Sequence, residues 1–169
     1  MLHELEPWLW IGGDEDCALA LASQRVNQSW TAVIHAAKWP CHANAVGYGY
    51  DSKVVLAKNH PEYLWAERPG SLYLNIIDPP VPLFQVAIFT TALDYIAEHD
   101  EPSGRILIHC NEGLSRAPSI ALLYLAKRAE RLPDDSYDKA REVFLTRYPR
   151  YKPGGGIATF LSEHWKEIR

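Results

Sequence analysis

The sequence predicts an α/β fold: a central, mostly parallel sheet of four to five strands, flanked by about six helices, in a single domain. Three observations carry that expectation. Short apolar runs rich in branched residues alternate along the chain with longer segments of helical periodicity. That alternation places helices on both faces of one sheet. The run Ile106–Ile108 (ILI) is apolar without interruption, as a central strand covered on both faces must be. The 169 residues suffice for one core and do not call for a second.

Each element has its own signal. Trp8–Ile11 (WLWI) reads as a strand stopped by Gly12 and Gly13, and Asp14–Gln24 as a short helix. Thr31–Ala36 (TAVIHA) is a second strand. Trp39–Arg68 looks irregular, apart from a short strand at Lys53–Leu56. Ser71–Ile77 (SLYLNII) sets Leu72, Leu74 and Ile76 on one face of a strand. The three prolines of Asp78–Leu83 (DPPVPL) exclude regular structure there. Phe84–His99 carries Val86, Phe89, Leu93 and Ile96 in a helical stripe. A strand at Arg105–Ile108 leads to a helix at Pro118–Arg131, whose start, Ile120–Ala126, is apolar all round and must be buried. Ser136–Tyr148 and Ile157–Ile168 complete the set as amphipathic helices.

Composition narrows the function. The chain is 47% hydrophobic and 22% charged, as globular proteins are. No apolar run reaches eighteen residues, and MLHELEPWLW lacks the pattern of a secretory leader. Three scattered cysteines do not make a disulfide framework, which points to a reducing cytoplasm. A net charge of −4 disfavours nucleic-acid binding. The charge is unevenly spread: residues 1–104 sum to −8 and residues 105–169 to +4. The positive half suits an anionic ligand. His60, His99 and His164 stand at no metal-ligand spacing, so neither metal nor other cofactor is expected, and Cys17 and Cys41 read as ordinary buried thiols.

The chemistry concentrates in HCNEGLSRAPS, residues 109–119. His109 and Cys110 stand at the carboxyl end of a strand, where ligands of open α/β sheets sit. The turn into the next helix leaves backbone N–H groups unpaired at the helix's positive end, an anion nest. Gly113 lets the loop curl, and Pro118 fits at or near the first helical position. The planar fork of Arg116 can span two oxygens of a phosphate. A cysteine inside such a nest is acidic and nucleophilic. Departure of an alkoxide then needs a proton donor, and Asp78 stands at a neighbouring strand end.

His109-Cys110-x5-Arg116 resembles the signature of the cysteine-dependent protein tyrosine phosphatases. HCNEGLSRAPS, with EPWLWIGG, WTAVIHAA and YLNIID, resembles their dual-specificity branch. The resemblance implies a phosphatase-like fold over residues 1–169 and a protein phosphatase acting on phosphotyrosine, with phosphoserine or phosphothreonine as further substrates. It implies Cys110 as nucleophile forming a phosphocysteine intermediate, Arg116 as phosphate clamp and Asp78 as general acid. The amides of Asn111, Glu112, Gly113, Leu114, Ser115 and Arg116 would cradle phosphate, with His109 bracing the loop. The expected partners are a phosphorylated protein or small phosphomonoester, with phosphate or another oxyanion in the site, and neither nucleic acid nor membrane. Two alternatives stay open: a catalytically weak phosphate-binding module, and a sulfur transferase of rhodanese type. One departure from the family is Ala117, where relatives carry a hydroxyl that stabilises the departing thiolate. Slow breakdown of the phosphoenzyme is therefore expected.

Overall fold

The computed structural model describes residues 2–18, 30–48 and 55–169. One six-stranded sheet organises the chain. Its strands are β1 (His3–Glu6), β2 (Leu9–Gly12), β3 (Ala32–His35), β4 (Trp65–Arg68), β5 (Ser71–Leu74) and β6 (Ile106–His109), in the spatial order β1-β2-β6-β3-β5-β4. The four inner strands run parallel, and the two edges are antiparallel hairpin partners. β6 is central, and all four of its residues are buried.

Four long helices follow or separate these strands: α1 (Val86–His99), α2 (Arg116–Lys127), α3 (Tyr137–Arg147) and α4 (Gly155–His164). Every α2 residue from Ala117 to Ala126 is buried, in keeping with the all-round apolar run. α2 packs on β6 and β2 and touches α1 and α3, while α1 covers β3 and β5. Side chains of alternate strand residues (Leu9, Ile11, Ile34, Leu72, Leu74, Ile106, Ile108) join these helices in one core. Val33 and Leu107 point the other way, beside Trp10 and Trp30. Among the described residues α1–α4 share one face of the sheet, while the helix at residues 14–18 and the helical turns at residues 38–45 lie on the other, so helices cover both faces as the sequence predicts.

Other expectations shift in detail. The edge strands β1 and β4 add to the four or five strands foreseen. β4 falls within the stretch read as irregular, as do helical turns over Lys38–His42 and Ala43–Ala45. A four-residue edge strand shows too few alternations to stand out. The helix after Gly13 is seen over residues 14–18; its expected remainder, like Lys53 and Val54 of the short strand, lies outside the described residues. Pro118 is the third helical residue rather than the first, because α2 begins at Arg116. It remains in the turn whose N–H groups have no intrahelical acceptor, so the ring is still tolerated.

Candidate active site

The loop from Cys110 to Ser115 joins the end of β6 to the start of α2, and its carbonyls are held from outside. The Asn111 carbonyl accepts from the Asp14 N–H at 3.1 Å, and the Gly113 carbonyl from the Tyr148 hydroxyl at 2.8 Å. The Leu114 carbonyl accepts from the Lys152 N–H at 2.9 Å and that of Ser115 from the Ser119 N–H at 3.0 Å. In a trans peptide C=O and N–H point opposite ways. Fixing these four carbonyls therefore aims the N–H groups of Glu112, Leu114, Ser115 and Arg116 inward. Gly113 makes the curl possible: its φ is +73°, and a Cβ there would lie 3.0 Å from the Gly12 carbonyl oxygen.

The N–H groups face a cavity of about 260 Å³ lined by Asp78, Cys110, Asn111, Glu112, Leu114, Ser115 and Arg116. Cys110 is buried at its floor, only 2% exposed. The Arg116 guanidinium donates to the Ile76 carbonyl at 3.2 Å and to Asn111 Oδ1. Its Nε is buried with no partner among the described residues. A buried guanidinium donor with no acceptor is costly unless a ligand supplies one.

Asp78 stands on an exposed loop at the cavity mouth. Tyr148 and the segment 149–156 (PRYKPGGG), whose conformation the sequence leaves open, position both that loop and the anion nest. Besides the bonds from Tyr148 and Lys152, the Gly154 N–H donates to Ser115 Oγ at 2.9 Å. A Cβ on Gly154 would fall on Asp78 Oδ1 and 2.8 Å from its Cγ. On Gly156 it would strike the carbonyl oxygens of Pro79 and Val81. The glycine run is thus the bed on which the Asp78 loop lies. The run of three glycines was visible in sequence, but its contact with the loop at residues 78–83 exists only in the fold.

Around Ala117 the hydroxyls sort themselves. Ala117 is fully buried, and Ser119 Oγ is 2.8 Å from the Tyr151 hydroxyl, which in turn is 3.0 Å from that of Tyr137. Burial pushes the Tyr151 phenol well above its ordinary pKa. Ser115 is buried and lines the cavity instead of pointing outward.

His109 lies behind the nest, fully buried. The register sets Gly12, His109, His35 and Tyr73 side by side across β2, β6, β3 and β5, on the face opposite α1–α4. His109 Nε2 is 2.8 Å from His35 Nδ1 and 3.9 Å from Cys41 Sγ; Cys17 Sγ is 3.4 Å from His35 Nδ1. The hydrogen bond shared with Cys17 holds the Cys41 thiol well below its ordinary range, with His109 and His35 assisting against burial. The same bond, then burial, pushes Cys17 up. Burial alone would lower the His109 imidazole, but Asp14 and Cys41 outweigh it and raise it. His35 and Cys41 are six residues apart, but Cys17 and His109 come from distant parts of the chain, and no local spacing announces the meeting of all four.

No protein-family model matches the chain. It is 36% identical over 75 residues to the dual specificity protein phosphatase PHS1 of Arabidopsis thaliana, a match covering 44% of this chain and 8% of that protein. It is 40% identical over 61 residues to human dual specificity protein phosphatase 26, covering 35% and 29%. The matched segments are thus well under half the length of these relatives. Among solved structures, the human tyrosine phosphatase-like serine/threonine/tyrosine-interacting protein superposes with a TM-score of 0.65 at 18% identity, covering 98% of this chain and 96% of that one. The Yvh1 phosphatase domain of Chaetomium thermophilum gives 0.64 at 16%, covering 99% and 96%. The sequence comparisons agree with the resemblance read from HCNEGLSRAPS, to the dual-specificity branch of the cysteine-dependent protein tyrosine phosphatases, and the solved structures share its fold.

Proposed function

We propose that this chain hydrolyses phosphomonoesters through a cysteinyl-phosphate intermediate, as a protein phosphatase of the dual-specificity type. The observation that carries the proposal is the shared cavity. It brings together a buried thiol, inward-facing amides, an arginine whose Nε has no partner and an exposed aspartate. Local identity to dual specificity phosphatases supports the same reading.

In the first step the Cys110 thiolate attacks phosphorus and an S–P bond forms. The ester P–O bond breaks, and its electron pair leaves on the alcohol oxygen, which takes a proton from Asp78. The loop amides and Arg116 follow the equatorial oxygens as charge shifts among them. In the second step the Asp78 carboxylate accepts a proton from a water that attacks phosphorus. The S–P bond breaks and the thiolate returns. His109 holds the end of β6 from behind. A sulfur transferase would have no use for Asp78, whose presence at the cavity mouth favours phosphate chemistry.

The substrate is a phosphorylated side chain, phosphotyrosine first, with phosphoserine or phosphothreonine second. The test is hydrolysis of matched phosphotyrosine and phosphothreonine peptides by wild type and Cys110→Ser. Release of phosphate by wild type alone is expected. Equal release by both proteins, or none by either, refutes the proposal, and sulfur transfer from thiosulfate to cyanide would replace it with the rhodanese reading.

A further inference from the structure

We propose that Cys17, Cys41, His35 and His109 form a four-coordinate site for a divalent transition ion, zinc by the chemistry of its donors, on the sheet face behind the phosphate loop. Two thiols and two imidazoles are the ligand set of closed structural zinc sites. The donor atoms of Cys17, His35 and His109 all lie within 4.8 Å of one another. Cys41 Sγ approaches the same His109 nitrogen that faces His35.

The distances fit one ion. With bonds of about 2.05 Å to nitrogen and about 2.3 Å to sulfur, a tetrahedron has edges of about 3.3 Å between nitrogens and about 3.6 Å from nitrogen to sulfur. The measured separations are 2.8 Å for His109 Nε2 to His35 Nδ1, 3.4 Å for Cys17 Sγ to His35 Nδ1 and 3.9 Å for Cys41 Sγ to His109 Nε2. Shifts of at most about half an ångström bring these three of the six edges to their ideal values.

The surroundings are built for it. The register delivers both histidines from neighbouring strands, and Gly12, their companion in the row, leaves room for the next turn to tuck in. A Cβ on Gly12 would lie 2.7 Å from Asp16 Cβ. That close approach carries Cys17 onto the sheet. The His35 ring is fixed by stacking on Tyr73, with centroids 4.1 Å apart and planes 7° from parallel. Asp14 Oδ1 lies 3.7 Å from His109 Nδ1, on the side away from Nε2. That is beyond hydrogen-bond distance, and a shift of about 0.7 Å would let the carboxylate accept from Nδ1 and orient the ring as outer partners of ligating histidines do. A cavity of about 450 Å³, lined by Asp14, Cys17, His35, Cys41, Tyr73 and His109, gives an ion a way in. Once bound, the ion would tie the turns that follow β2 and β3 to the residue preceding Cys110.

The test uses the full chain, reduced with a non-chelating phosphine and stripped of metal. Cobalt(II) is added, followed by zinc. One cobalt per chain is expected, with the intense visible bands of a tetrahedral ion and sulfur-to-cobalt charge transfer, all abolished by one equivalent of zinc. Zinc should raise the melting temperature. Cys110→Ser should keep the spectrum, because the nucleophile is not a ligand. Cys17→Ser and Cys41→Ser should each weaken charge transfer and lower affinity beyond the roughly 10–100-fold that loss of an outer partner costs. A wild-type spectrum that is weak and octahedral, absence of stoichiometric uptake, or uptake lost in Cys110→Ser refutes the site. So does a wild type that resists reduction through a Cys17–Cys41 disulfide and takes up no ion. The wild-type spectrum decides even where a variant fails to fold.

Discussion

Gly154→Ala offers a test of the acid that leaves the acid itself in place. The backbone of Gly154 has φ −60° and ψ 153°, which alanine adopts without strain, so the substitution acts through its methyl alone. That methyl falls on Asp78 Oδ1 and 2.8 Å from Cγ, and ordinary contact begins at 3.4 Å. The carboxyl carbon must therefore move by about 0.6 Å, and the oxygen further. Asp78 is exposed and ends a short side chain, so it can yield at little cost in stability. Catalysis is less forgiving. A misplacement of about 1 Å can cost about 10²-fold, and a positioned acid contributes roughly 10²–10⁴-fold. For an alkyl or unactivated aryl phosphate kcat should fall by about 10–100-fold. For p-nitrophenyl phosphate, whose leaving group needs no proton, it should fall no more than about twofold. Stopped-time assays of both substrates, with thermal melting as a control for folding, give the comparison. Equal losses on the two substrates, or full activity on the poorer one, would refute the placement of Asp78 as proton donor.

Gly156→Ala should behave differently, because its methyl meets the backbone carbonyls of Pro79 and Val81 instead of a side-chain tip. Overpacking of this kind costs about 1–3 kcal/mol, and differential scanning calorimetry should show a fall of several degrees in Tm. Asp78→Asn should lose about 10²–10⁴-fold in kcat on poor leaving groups and lose the basic limb of the pH–rate profile. Ser115→Ala should expose the second step if the Ser115 hydroxyl, which accepts from Gly154 and lines the cavity, donates its proton there. Removing it should lower kcat by roughly tenfold and reveal a burst, with kcat/KM nearly unchanged; rapid mixing with p-nitrophenyl phosphate measures both. Tyr151→Phe removes the hydroxyl that links Ser119 and Tyr137, and leaving those buried groups short of a partner should cost about 1–3 kcal/mol in chemical denaturation.

The centre of this molecule is legible from its residues, and its edges are not. β6 and α2 announce themselves by uninterrupted apolar runs, since burial on every side leaves no room for a polar residue. HCNEGLSRAPS is local, so its strand-loop-helix placement follows from short-range rules. β4 hid because Trp65–Arg68 is brief and half-exposed, and its strand character comes from pairing with β5. Sequence names Ser115 and Ser119 as the hydroxyls that flank Ala117 but not their directions, because that of Ser115 is fixed by a glycine 39 residues away. A serine at 117 would not act as a helix cap either, since it is the second residue of α2 and Ser115 holds the cap position. The Cys/His cluster is a product of register: His35 and His109 are 74 residues apart and adjacent only once β3 and β6 pair.

The outward tethering of the loop carbonyls has a thermodynamic consequence. Each of the four bonds to Asp14, Tyr148, Lys152 and Ser119 is made within the chain itself and uses no ligand atom. The chain has thus lost the rotational freedom of those peptide planes during folding, and an arriving phosphate need not remove it again. Loops that order around a ligand give up part of the interaction energy in doing so. Here that deduction is absent, so even a small tetrahedral ion with few contacts can bind with useful affinity. Inorganic phosphate and its vanadate-like mimics should compete with substrate, and the released product should be a measurable inhibitor of the next turnover.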